Sequence, residues 1–260
     1  MSYQNLLLTR EDATLIITLN RPAQMNALDM ASLDELSQVL REVQGNAEVR
    51  NLIFAGSEKF FCVGADISEV NKINSAFAGY RFSKNFQRCF AQIEESDKIA
   101  IAAVRGYALG GGLELMLACD FRIVADDAQL GVPEVNLGAL PGGGGTAKLP
   151  RLIGSLQAKE LLLLGEPISG QVAAQWGMVN KAVPATEVLS EAKALASKLA
   201  QRSPLALQVI KSAVRESMNV DLNSALEFEA RGLGFLATSE DFKEGTAAFL
   251  QKRRPTFKGL

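Results

Sequence analysis

Apolar positions along this 260-residue chain follow two alternating rhythms. Short continuous apolar runs, at 15–19, 51–55, 99–104 and 121–125, predict strands, the β-branched-rich run at 99–104 a buried one. The first run ends at Asn20, Arg21 and Pro22, because proline cannot continue a ladder. Between the first two runs, Leu28, Leu33, Leu36, Val39, Leu40 and Val43 recur at helical spacing across 26–43, and Gly45 closes the segment. A strand, helix, strand order predicts parallel pairing through a right-handed crossover. Residues 60–63 read as a further short extended piece, Gly64 as a tight turn and Asp66 as the cap of a helix, with helical spacing returning around 82–93. Residues 129–137 read as an extended piece broken by Pro133, and 155–164 as a helix closed by Gly165. Beyond Val183 and Pro184 no further strand is expected. Val188, Leu189, Ala192, Leu195, Ala196, Leu199 and Ala200 form one helical stripe, Pro204 opens a second helix, and helical stretches follow around 222–235 and 241–250. The expected organisation is an α/β core over 1–184 and a helical region over 185–260. Helices this apolar must pack on the sheet or on another subunit.

The densest chemistry lies between the strand at 99–104 and a helix expected over 113–119. Gly110, Gly111 and Gly112 form the turn that joins them. They leave no side chain between the backbone N–H groups and a ligand, and those groups are unpaired donors at the positive end of a helix. Such a place suits a developing negative oxygen. Glu114 adds a carboxylate in the first helical turn, although the helix dipole alone also favours an acid there. The turn near Ala65 offers a second set of N–H donors, or a plain loop-to-helix junction. Glu134 stands in an apolar stretch, where a carboxylate needs a partner, a raised pKa or a cleft. Gly142 to Ala147 loosely matches the dinucleotide pattern G-x-G-x-x-A, but Pro141 stands where a strand should end and no acidic strand end follows at the required distance.

Composition narrows the chemistry by one absence: the chain has no histidine. Imidazole-based triads and histidine-ligated metals are excluded, so proton transfer falls to Asp, Glu, Lys, Tyr or Cys. With 48% hydrophobic and 22% charged residues and a net charge of −2, the sequence reads as a globular chain with no general attraction to nucleic acid or to an anionic membrane. The local cluster Lys252, Arg253, Arg254 and Lys258 is a solvated chain end or a place to meet phosphates. The three cysteines, Cys62, Cys89 and Cys119, are far apart in apolar surroundings, as expected of reduced thiols in the cytoplasm. No metal-ligand spacing, targeting segment or membrane-length apolar run is expected.

Taken together, Asn20-Arg-Pro22 with Asn26-Ala-Leu28, Phe61-Cys-Val-Gly-Ala-Asp66, Gly106 through Glu114, Pro133-Glu134 with Leu137-Gly138, Pro141 through Thr146 and the closing Phe249, Lys252, Arg253 and Phe257 resemble the crotonase, or enoyl-CoA hydratase/isomerase, superfamily across nearly the whole chain. The resemblance implies a spiral of β-β-α repeats with a C-terminal helical trimerisation region, assembled as a homotrimer or as a homohexamer of two trimers. It implies an oxyanion hole at the N–H groups of Ala65 and Gly111 and a hydratase pair at Glu114 and Glu134, Glu114 activating water and Glu134 delivering the C2 proton. It places coenzyme A against Gln24, Met25 and Asn26 and against Ala65, Asp66, Ile67 and Ser68, with Phe257 and Lys258 reaching the adenine end of a neighbouring subunit's ligand. Leu113 stands where relatives often carry a smaller residue or cysteine, which bears on acyl-pocket shape. The implied activity is reversible hydration of a 2-enoyl-CoA, with no cofactor beyond the coenzyme A of the substrate. Many isomerases lack one glutamate, so the pair favours a hydratase over a Δ3,Δ2-isomerase or a specialised dehydratase. A dinucleotide-dependent oxidoreductase would need the Gly142 match, and an RNA-binding role would need a basic face.

Overall fold

The computed structural model describes residues 3–260, and two sheets organise it. The larger sheet takes β1 (Leu6–Glu11), β2 (Thr14–Leu19), β3 (Asn51–Ala55), the later strands Ile99–Val104 and Phe121–Ala125, and finally Lys181–Val183, in that spatial order. The smaller sheet is built from β4 (Phe60–Cys62), Tyr107–Leu109, Gln129–Gly131 and Ile168–Ser169. Numbered along the chain, β5 (Ile99–Val104), β7 (Phe121–Ala125) and β10 (Lys181–Val183) belong to the first sheet, and β6 (Tyr107–Leu109), β8 (Gln129–Gly131) and β9 (Ile168–Ser169) to the second. Each repeat therefore donates one strand to each sheet before its helix returns the chain: β3 then β4, β5 then β6, β7 then β8. This is the spiral of β-β-α units, α/β in class, that the crotonase-like resemblance implies.

The long strands form where the apolar runs are continuous. Every residue of β3 and of β5 is buried, as expected for parallel strands covered on both faces, and β2, β3, β5 and β7 pair in parallel register. Helix α1 (Met30–Val43) lays Leu33, Leu36, Val39, Leu40 and Val43 on the core, and its N-terminus is capped by Asp29, whose Oδ1 accepts from the Ser32 N–H at 2.7 Å. Asp66 caps α2 (Ile67–Val70) in the expected way, its Oδ1 accepting from the Ser68 N–H at 3.0 Å. Helix α3 (Ala76–Glu94) follows and buries Phe86, Cys89, Phe90 and Ile93. Helix α4 (Gly111–Ala118), the one after the glycine turn, is buried along its whole length.

Three local expectations change. The piece at 129–137 is extended only in β8; Pro133–Leu137 is a 3-10 turn, because proline pre-sets the first helical φ and Gly138, at φ 69°, ends the turn in the left-handed region. The helix expected at 155–164 is the second half of α5 (Gly145–Leu164), which begins inside the glycine run and bends at Gly154. Strands β1, β9 and β10 complete the sheets without a long apolar run: β1 has only Leu6–Leu8 and buries Leu6 alone, and the other two are two and three residues long. After α6 (Gly170–Gln175) and β10, helix α7 (Val188–Ala200) lies across β3, β5 and β7, pinned by the buried Asn51 side chain donating to the Ala196 carbonyl at 3.0 Å. Helices α8 (Pro204–Ser217), α9 (Leu222–Ala237) and α10 (Glu240–Leu250) complete the chain, and neither α8 nor α9 buries a residue.

Candidate active site

The turn between β6 and α4 is set by Gly110, whose φ of 50° and ψ of −124° belong to glycine. A Cβ there would stand 2.6 Å from Glu134 Oε1, so the absent side chain also lets that carboxyl approach. Gly111 then opens α4, and its N–H lies at the helix's positive end. Ala65 is held beside it by a second piece of backbone. Leu28 bridges the loop after β4, its N–H donating to the Gly64 carbonyl at 2.7 Å and its carbonyl accepting from the Asp66 N–H at 2.9 Å. The Ala65 nitrogen comes within 3.5 Å of where a Cβ on Gly111 would be. Neither the Ala65 nor the Gly111 N–H has a hydrogen-bond partner among the described residues, and the two backbone pieces lie against each other.

Two carboxyls face the same space. Glu114, only 2% exposed, is fixed by the glycine-rich loop before α5: the Gly145 N–H donates to Glu114 Oε1 at 2.8 Å, and the N–H groups of Gly143 and Gly144 also favour its ionised form. A Cβ on Gly143 would stand 2.6 Å from Glu114 Oε2, which is why that loop is glycine. Burial pushes the Glu114 pKa up, while these N–H groups and the Lys148 ammonium oppose the rise. Glu134, on the 3-10 turn, has the opposite surroundings. Its Oε2 is buried with no partner among the described residues, and burial, reinforced by the charge of Glu114, pushes its pKa up to about 7. The two carboxyls differ in what surrounds them: backbone N–H groups and the Lys148 ammonium oppose the effect of burial on Glu114, whereas Glu134 Oε2 has no partner among the described residues.

Ala65, Ile67, Gly111, Glu114 and Glu134 all line one cavity of about 420 Å³. Its remaining walls include Val70, Ile73, Phe82, Phe86 and Leu140, an apolar lining suited to a hydrocarbon chain. Asp66, Ser68, Gln24, Met25 and Asn26 do not line it. Gln24 to Asn26 form a tight turn, with Met25 and Asn26 at φ 53° and 59°. Asn26 is buried, its amide donating to the carbonyls of Phe60 and Phe61 and its Oδ1 accepting from the Arg21 N–H, so its side chain ties the loop together. Arg21 pairs with both Asp29 and Asp66 at 3.0 Å, joining this turn to the start of α2. Leu113 lies wholly in the core and not in the cavity wall. Lys258 sits instead beside Gly259 in a separate cleft near the starts of β3 and α8.

Sequence reasoning missed the role of Gly143, Gly144 and Gly145. The run that resembles a dinucleotide fingerprint follows no strand, and its N–H groups serve Glu114. Phe82 and Phe86 were legible only as core positions of a helix.

The family model for enoyl-CoA hydratase/isomerase matches residues 9–260. A crotonyl-CoA hydratase of Syntrophomonas wolfei is 41% identical over 258 residues, covering 99% of each chain. A short-chain-enoyl-CoA hydratase of Clostridium acetobutylicum is 38% identical, covering 98% of this chain and 97% of that protein. Among solved structures, an enoyl-CoA hydratase from Bacillus anthracis superposes with a TM-score of 0.94 at 38% identity, over 99% of this chain and 100% of the other. Matched almost from end to end in both sequence and fold, the chain belongs to the enoyl-CoA hydratase/isomerase family.

Proposed function

We propose that this protein catalyses the reversible addition of water across the 2,3-double bond of a 2-enoyl-CoA, giving a 3-hydroxyacyl-CoA. The observation that carries the reading is a single cavity holding one donor-bound carboxylate, one unpartnered carboxyl and two open N–H groups. The thioester carbonyl lies against the N–H groups of Ala65 and Gly111, which bind its oxygen more strongly as it gains charge; one such donor is worth about 2.7–4 kcal/mol of barrier. Glu114 takes a proton from water as the oxygen bonds to C3, and Glu134 gives its proton to C2. Electrons flow from water through C3 and C2 to the thioester oxygen and back to C2 as it is protonated, so the only reagents are water and the enoyl thioester. No cofactor is needed beyond the coenzyme A that the substrate itself carries. The printed names of the relatives, crotonyl-CoA and short-chain-enoyl-CoA hydratases, support the substrate class.

The coenzyme A moiety in this reading runs out along the Gln24 to Asn26 turn and along Asp66, Ile67 and Ser68 at the start of α2, of which Ile67 lines the cavity. Assembly as a homotrimer, or as a homohexamer of two trimers, covers α8 to α10, where Ile210, Val214, Leu233 and Phe235 are all more than half exposed. In that assembly Phe257 and Lys258 reach the adenine end of a neighbour's ligand. Buried, unpaired Cys62, Cys89 and Cys119 suit a reducing cytoplasm, and no helix among the described residues is long and apolar enough to cross a membrane.

The test is hydration of a series of 2-enoyl-CoAs by the purified protein, followed by loss of the conjugated-thioester ultraviolet band, with 3-enoyl-CoAs run in parallel. Turnover of the 2-enoyl series supports hydration. Growth of the conjugated band from 3-enoyl-CoA, with no hydration, would identify an isomerase instead.

A further inference from the structure

The glycines from Gly142 to Gly145, which face Glu114, have little backbone preference of their own, so the direction in which their N–H groups point is set by what grips them. The downstream end is held by α5 itself, where the N–H groups of Ala147 and Lys148 donate to the Gly144 carbonyl. The upstream end is held by α3. Ser83 and Gln87 stand on one face of that helix, at a spacing that makes their side chains neighbours, and both donate to the Gly142 carbonyl, Ser83 Oγ at 2.7 Å and Gln87 Nε2 at 2.9 Å. A carbonyl oxygen accepts along two lone pairs, and here two donors meet it. Gln87 Nε2 also donates to Ser83 Oγ at 3.1 Å, while Lys84 Nζ donates to Gln87 Oε1 at 2.9 Å and so fixes which end of the amide faces the loop. A serine within a helix ordinarily turns its hydroxyl to solvent or to the preceding turn; this one crosses to another element. The missing side chain of Gly142 permits the approach, since a Cβ there would stand 3.3 Å from Ser83 Cβ.

The Gly142 carbonyl and the Gly143 N–H are the two ends of one planar trans peptide, so they point in opposite directions. Fixing the carbonyl therefore fixes the N–H. Gly143 abuts the base: a Cβ on it would stand 2.6 Å from Glu114 Oε2, and its N–H favours the ionised carboxylate. We propose that Ser83 and Gln87 are positioning residues for hydration: by gripping the Gly142 carbonyl they set the plane of the peptide between Gly142 and Gly143, present the Gly143 N–H to Glu114, and so hold that carboxylate where it meets the attacking water. This rests on the reading of Glu114 as the base. Gln87 does not line the cavity, so it acts only through the loop; Ser83 lines it but commits its hydroxyl to Gly142.

The experiment is steady-state hydration of 2-butenoyl-CoA by wild type, Ser83→Ala, Gln87→Met, the double variant of these two, Gly143→Ala, and Gly143→Ala combined with Gln87→Met. Each of Ser83→Ala and Gln87→Met removes one of two donors and should lower kcat roughly fivefold, the worth of one hydrogen bond. Their double variant should lower it by about 10²-fold, as for a catalytic group misplaced by about 1 Å. In Gln87→Met the KM should stay within about twofold of wild type, because a side chain outside the cavity has no substrate contact to lose. Gln87→Met combined with Gly143→Ala should lose less than the product of the two single losses, since both act through one peptide. A pair that only ties α3 to the loop would lower Tm and leave kcat of the folded enzyme unchanged, or would multiply with Gly143→Ala; either result overturns the proposal, as does a Gln87→Met loss carried by KM with kcat kept. Where the double variant fails to fold, the single variants and the Gln87 and Gly143 cycle decide the matter. Wild type that does not hydrate strikes the parent reading, whereas wild type that hydrates with kcat unmoved in Gln87→Met strikes this inference alone.

Discussion

Replacing Glu134 by glutamine should make the protein more stable and nearly inactive, and the stability gain should depend on pH in a way fixed by the site. In the folded protein burial and the nearby Glu114 raise the Glu134 pKa from 4.5 to about 7. A carboxyl whose folded pKa is raised supports the fold fully below its unfolded value of 4.5, and that support is lost as pH rises through about 7. At 1.36 kcal/mol per pKa unit, a rise of about 2.5 corresponds to about 3 kcal/mol at pH 8, an upper value for a group that keeps some contact with solvent. Glutamine has the same shape and no charge to desolvate, so Glu134→Gln escapes that cost at high pH. For a chain of this length about 3 kcal/mol is roughly 5 °C in Tm. Calorimetry at pH 8 and pH 5 checks it: the variant should lead wild type at pH 8, and most of that lead should be gone at pH 5. In parallel, hydration should drop by about 10²–10⁴-fold, since glutamine has no proton to give, while binding of a saturated acyl-CoA persists. An equal stability difference at both pH values would refute the assigned environment of Glu134. Near-normal hydration would remove it from the chemistry and favour a one-glutamate isomerase.

Gly111→Pro deletes the N–H proposed as an oxyanion donor, at a helix position that tolerates proline; kcat should fall by about 10²–10³-fold in a protein that still folds, as circular dichroism would verify. Gly143→Ala drives a methyl group to 2.6 Å from Glu114 Oε2 and 2.9 Å from the Phe90 ring, so the carboxylate must shift and steady-state turnover should fall by about 10²-fold with little change in KM. Light scattering at micromolar concentration should give the mass of a trimer or hexamer; a monomer would leave the exposed faces of α8 to α10 without their proposed cover.

What could be read from the chain follows what each element buries. Runs such as Ile99–Val104 announce themselves because both faces are covered and every position is apolar. Strands β4, β6 and β8 are three residues each, too short for any period, so the two-sheet spiral came from the resemblance and not from the pattern. The edge strand β1 buries Leu6 alone and leaves no alternation to detect. At the site, Glu114 and Glu134 stood out because the first follows a glycine turn and the second interrupts an apolar stretch. The grip of Gly145 on Glu114 spans 31 positions in the chain, and a backbone donor has no residue signature at that distance. The glycine run was visible as unusual but its target was not. Ser83 and Gln87 were invisible for the same reason, since each looks like an ordinary polar residue of a helix until the fold sets it beside the loop.

The most direct test of the central claim is to run the reaction in water enriched in oxygen-18 and deuterium and to locate the isotopes by mass spectrometry. Wild type should convert 2-butenoyl-CoA to 3-hydroxybutanoyl-CoA with one solvent oxygen at C3 and one solvent hydrogen at C2, and the Glu114→Gln and Glu134→Gln double variant should incorporate neither above background. Exchange of hydrogen at the carbon next to the thioester without uptake of oxygen, or a product unlabelled at C3, would contradict the account.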